Sequence, residues 1–142
     1  MHNSHHLSVV LNYVKIDKDI QVIFDFTECT YIDSTFIGIL AGYAINAKNN
    51  GKTVICNNVS DKIKESLVTM GIVRFLKLEK DVAVPAEGYK ELSDLPISSI
   101  DRTRYILDAH KTLVEISEDN KKRFADVMRF LELDLKTQEE GQ

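Results

Sequence analysis

Apolar positions along the first half of the chain alternate between helical and strand spacing. Leu7, Val10, Leu11 and Val14 recur at i, i+3, i+4 and i+7, the stripe of one helix face. Gln21 to Phe26 follows, a β-branched and aromatic run of strand length. Thr35 to Asn50 reads as a helix, and Gly51 behind it suits the left-handed position beyond a helix C-terminus. Lys52 to Cys56 is a second predicted strand. Ser60 is placed to cap a helix from Asp61 to Met70, which Gly71 closes. Arg74 to Leu78 reads as a third strand. Strand, helix, strand, helix, strand with short connections predicts an α/β fold of parallel βαβ units with right-handed crossovers.

The last part of the chain, from Ser98, reads as helical. Ser98 and Asp101 approximate a capping box, with Asp where Glu or Gln is usual. Ile106, Leu107, His110, Leu113 and Val114 make one stripe, and Phe124, Val127, Met128, Leu131 and Leu135 make another after a break at Ser117 to Asn120. Amphipathic helices need cover for their apolar faces. Packing on the βα segment is the expected solution, with mutual pairing or a bound partner as the alternatives. Pro85 and Pro96 bracket a polar, turn-prone stretch, so the chain divides into a core over 1–80, a linker over 81–97 and a helical tail over 98–142.

Charge sharpens that division. The chain of 142 residues carries 22 acidic and 18 basic side chains, a net of −4. Through residue 85 the balance is zero, with nine of each sign, and the remainder has nine basic against thirteen acidic residues. There is no basic surplus of the kind nucleic-acid binding usually needs, so no nucleic-acid partner is expected. Apolar residues at 44% and charged residues at 28% are ordinary for a folded soluble domain. The longest apolar run, Phe36 to Leu40, is far short of the ~20 residues of a membrane span. No secretory leader is expected from Met1 to His6, and the cytoplasm is the expected compartment.

Candidate chemistry is sparse. The turn after the first strand, Thr27 to Ser34, has no glycine to bring backbone amides against a phosphate. His2, His5 and His6 lack nearby cysteine or carboxylate partners at metal spacing, and Cys29 and Cys56 suggest free thiols rather than a disulfide framework. His110, on an apolar stripe, reads as a satisfied core histidine rather than a base. No catalytic constellation is visible, so a non-enzymatic protein without metal or cofactor is expected.

One junction stands apart. Asp33-Ser34-Thr35 lies where a loop becomes a helix, and all three residue types cap helices by accepting the orphan amides of the first turn. The same helix end stabilises negative charge, so a phosphoryl group, carrying roughly −1.5 to −2 charges, is tolerated there. Gly38 and Gly42 share a face of that helix. Glycine inside a helix costs about 0.5–1 kcal/mol against alanine, which implies close approach of another element, the sheet beneath or a partner above.

From Val22 to Leu78 the chain resembles the STAS domain family of bacterial anti-sigma factor antagonists. The likeness rests on Phe24-Asp25-Phe26, Tyr31-Ile32-Asp33-Ser34-Thr35, the helix carrying Gly38, Gly51-Lys52-Thr53-Val54, and Met70-Gly71-Ile72 ahead of the last strand. The resemblance implies a STAS-like sheet of βα units with helices packed on it. The chain is expected to depart from the family pattern in lacking the usual N-terminal strand pair, which leaves a sheet edge to cover. The tail is then a C-terminal helical extension beyond the family core. Functionally, the resemblance implies a regulatory binding module in signal transduction and transcription regulation. Its unphosphorylated form binds an anti-sigma factor that is also a serine kinase; phosphorylation of Ser34 releases the complex, and a serine phosphatase resets it. Thr35 is the alternative acceptor, and Asp33, Ser34, Thr35 and Phe36 are the implied partner-binding residues. Phe36 stands where many members have glycine, and either anchors an interface or faces the core. The alternative function is a constitutive scaffold or regulatory subunit of a larger signalling or transporter assembly, associating through the C-terminal helices. A homodimer fits either reading.

Overall fold

Three short strands, β1 (Ile23–Asp25), β2 (Val54–Asn57) and β3 (Leu76–Glu79), pair in that order, all parallel. The structure is a computed structural model that describes residues 22–83 and 98–141. The expected helix at Leu7 to Val14 and most of the linker lie outside the described residues. Register and side-chain alternation set the faces of the sheet. Phe24 pairs with Cys56 and Cys56 with Leu78, while Ile23, Ile55 and Lys77 form the opposite row. Val54 and Cys56 are fully buried beneath the helices, and Phe24, Leu76 and Leu78 pack against the same cluster.

The helices α1 (Ser34–Asn49) and α2 (Asp61–Thr69) make the two crossovers. Both connections step the same way across the sheet, so right-handed crossovers place both helices on one face. Asp33 and Ser60 cap them, accepting hydrogen bonds from the amides of Phe36 (2.8 Å) and Ile63 (3.3 Å). Gly51 (φ 74°) and Gly71 (φ 76°) take the left-handed conformation just beyond each helix, as the spacing predicts.

Boundaries differ from expectation where local hydrogen bonds compete with strand pairing. Lys52 donates its amide to Ala47 and so belongs to the exit from α1, which delays β2 to Val54. Val73–Phe75 forms a 3-10 turn, closed by the Phe75 amide on the Ile72 carbonyl, so β3 begins at Leu76 rather than Arg74. In the tail the chain breaks at Ser117, whose extended backbone ends α3 (Ser99–Ile116) and whose hydroxyl caps α4 (Glu118–Arg123) by accepting from the Asn120 amide, and again at Phe124, which ends α4. The last helix, α5 (Ala125–Glu140), folds back along α3.

The tail packs on the core. The broadest helix–helix contact among the described elements is that of α1 with α3. Leu113 and Phe124 enter the same buried cluster as Ile37, Leu40, Val54, Ile63, Leu67 and Ile72. At about 1.5–3 kcal/mol for each large apolar side chain removed from water, these two tail residues contribute materially to the fold. Cover from the tail therefore falls on the outer side of α1 and on the turn after α2, where Arg74 donates to the Ile116 carbonyl at 3.4 Å.

Candidate functional site at the start of α1

Asp33 and Ser34 divide two tasks. The Asp33 carboxylate accepts the Phe36 amide and holds the first turn of α1, so the Ser34 hydroxyl, on the first helical residue, is free for a tertiary partner. That partner is His110 on α3, with Ser34 Oγ 2.9 Å from its Nε2. The other ring nitrogen, Nδ1, lies 2.7 Å from the Ile106 carbonyl oxygen. A carbonyl only accepts, so Nδ1 carries the proton, and in the neutral imidazole Nε2 accepts from the Ser34 hydroxyl. His110 is 3% exposed, and the Phe124 ring meets it edge-on at 5.1 Å between centroids. The imidazole is thus held by a backbone carbonyl, an aromatic ring and a serine.

Around this pair, Asp33, Ser34 and Thr35 are half-buried. Tyr105 on α3 lies in the same neighbourhood. Burial pushes its phenol above the ordinary value, while the Arg102 cation opposes that rise and the Asp33 carboxylate adds to it.

One turn along α1, the helices nearly touch. A Cβ on Gly38 would lie 2.7 Å from the Ala109 carbonyl carbon and 2.9 Å from its Cβ, closer than real side chains approach. At Gly42 the same atom would meet Thr112 at an ordinary 3.8 Å. The close approach implied by the glycine spacing is made by α3, neither the sheet nor a second protein.

Of the four residues implied to meet a partner, three share this junction. Phe36 does not. It is 7% exposed and packs edge-on against Phe26 with ring centroids 6.2 Å apart, so its core-facing orientation is the one realised and it is no exposed anchor. The reason is helical geometry: two residues beyond Ser34 the side chain has turned toward the sheet.

Sequence reasoning placed His110 correctly in the interior but missed that its Nε2 closes on Ser34, 76 residues away. The Gly38 and Gly42 spacing was the available signal that another element crosses there. Among the described residues no group of His, Cys, Asp and Glu is arranged to hold a metal ion. Nor, among them, is any helix long and apolar enough to cross a membrane.

A parallel βαβαβ sheet, capped helices on one face and a polar junction at the start of α1 define an α/β domain built of βα units. Residues 4–84, more than half of the chain, match the STAS domain family, and the protein belongs to that family. No significant match is found among curated proteins or among solved structures.

Proposed function

We propose that this protein is a regulatory binding module of the anti-sigma factor antagonist type, in the cytoplasm of a bacterium, with Ser34 as its phosphoacceptor. The observation that carries the reading is the position of Ser34. It begins α1 with its hydroxyl directed out of the helix, while Asp33 alone does the capping. In the transfer, Ser34 Oγ forms a bond to the γ-phosphorus of a nucleoside triphosphate as the bond to the bridging oxygen breaks. The nucleoside diphosphate leaves, and the hydroxyl proton passes to a base of the partner kinase. The dianion then sits beside the Asp33 carboxylate at a partner interface. Each 1.4 kcal/mol of resulting penalty lowers affinity about tenfold. A serine phosphatase restores the binding form. The test is intact mass after incubation with ATP and the candidate anti-sigma kinases. One added phosphate mapping to Ser34, absent in Ser34→Ala, is expected, along with weaker capture of the kinase by Ser34→Asp. Phosphate mapping elsewhere, or capture unaffected by Ser34→Asp, overturns the reading.

A second reading, a scaffold associating through the tail, is favoured by one observation. Phe130 (67% exposed), Leu133 (62%) and Val127 form an open apolar row on α5. This row replaces the expected inward placement of Val127. If the row is the working surface, Phe130→Glu abolishes association in sedimentation or pull-down while Ser34→Asp leaves it intact.

A further inference from the structure

We propose that α3 is a cover for Ser34 carried on the same chain. The Ser34 hydroxyl becomes open to modification, and this face of α1 open to a partner, only when α3 lifts; a phosphoryl group on Ser34 in turn holds α3 off. The inference rests on the reading of Ser34 as the phosphoacceptor and adds what controls access to it.

Three observations meet here. First, the space a phosphoryl group needs beyond Ser34 Oγ is filled by the His110 imidazole at 2.9 Å. That ring has little freedom to swing aside on its own helix, because the Ile106 carbonyl holds Nδ1 and Phe124 stands against its plane. Second, room is not gained by sliding α3 along α1. One turn further on, the Ala109 backbone already occupies the place of a Gly38 side chain. The space therefore opens only if α3 moves away as a unit. Third, at Ser34, Gly38 and Gly42 the contact of α1 with α3 is made by a hydroxyl and by two residues without a side chain. The resistance to lifting comes from Leu113 and Phe124, which share a buried cluster with Ile37 and Leu40 of α1. A phosphoryl group placed between Asp33 and the underside of α3 opposes docking through lost packing and loss of the Ser34–His110 hydrogen bond. Coupling of this kind is reciprocal at equilibrium: a docked tail disfavours the modified form to the degree that modification weakens docking.

The full-length chain tests this with two readouts. Ser34→Cys in a Cys29→Ser background, with Cys56 buried, reports access at position 34 through its rate of reaction with N-ethylmaleimide. Amide hydrogen exchange over residues 99–116 reports docking. Adding Gly38→Ala, which wedges the crossing while favouring α1 itself, is expected to speed labelling at least tenfold and to deprotect 99–116. Protection over 54–79 is expected to persist. Labelling and tail exchange that match the parent within twofold overturn the cover. Should the wedge also unfold the sheet, phosphoserine installed at position 34 of the otherwise unaltered chain decides: at least tenfold faster exchange over 99–116 supports the proposal, and unchanged exchange overturns it. Failure of every serine kinase to modify Ser34 while the wedge still accelerates labelling leaves the cover standing and removes only the phosphoacceptor reading.

Discussion

The Asn120 side-chain amide ties tail to core, donating to the carbonyl of Met70 at 2.9 Å and to that of Leu113 at 2.8 Å. Its Oδ1 accepts from Arg123 at 2.8 Å, and the residue is fully buried. Met70 ends α2, fifty residues earlier, so one amide satisfies the end of a core helix and a carbonyl of α3 together. Removing it takes this donor from the buried Leu113 carbonyl and from the part-buried Met70 carbonyl. Asn120→Ala is therefore expected to destabilise the protein by about 1–3 kcal/mol. Urea unfolding measures this, and an unchanged midpoint would show that the two carbonyls find other donors.

The two helix glycines predict opposite signs for the same substitution. Gly42→Ala replaces a flexible helix-interior residue at a site with room for a methyl group, and a gain of about 0.5–1 kcal/mol is expected. Gly38→Ala has the same local benefit but drives a Cβ into the Ala109 backbone, an overpacking cost of about 1–3 kcal/mol. Thermal or urea melts of the two variants should separate in direction.

Phe36 is expected to act through stability. Its ring is buried against Phe26, so Phe36→Ala should cost about 3–5 kcal/mol, whereas Phe36→Leu should cost much less. Ser34→Ala keeps the Asp33 cap and α1, and leaves the His110 Nε2 without its donor, a loss of about 1–3 kcal/mol. Circular dichroism through unfolding distinguishes the three.

The thiols should behave unequally. Burial pushes the Cys56 thiol up to about 12, and the side chain is inaccessible, whereas Cys29 is half-exposed. A thiol reagent at pH 8 is expected to modify Cys29 in the native protein and Cys56 only on unfolding. The same shift fixes a sign for alkaline stability. Above the ordinary thiol value of 9.0 the unfolded chain releases the Cys56 proton while the folded chain retains it, so stability falls as pH rises from there toward about 12. Burial also raises the Tyr43 phenol, which steepens the loss of stability in the same alkaline direction. Cys56→Ala should flatten the thiol's share of the slope in urea titrations at successive pH values.

Hydrophobic periodicity and turn chemistry by themselves determined the order of elements. The parallel βαβαβ core, the caps at Ser60 and Ser98, and the glycine stops at Gly51 and Gly71 all follow from interactions within a few residues. So does the singling out of Asp33-Ser34-Thr35, because capping is a local contest among side-chain oxygens for orphan amides. Where local bonds were finely balanced, as at Lys52 and Phe75, the strand edges moved by a residue or two. Tertiary structure alone decided what stands over that junction. No periodicity relates Ser34 to His110, Gly38 to Ala109 or Met70 to Asn120, because each pairing depends on the path and crossing of α3 across α1. The amphipathic stripe announced that the tail needed a surface to cover. Steric fit, a missing Cβ at Gly38 and a matched hydrogen bond at Ser34, selected which surface it was.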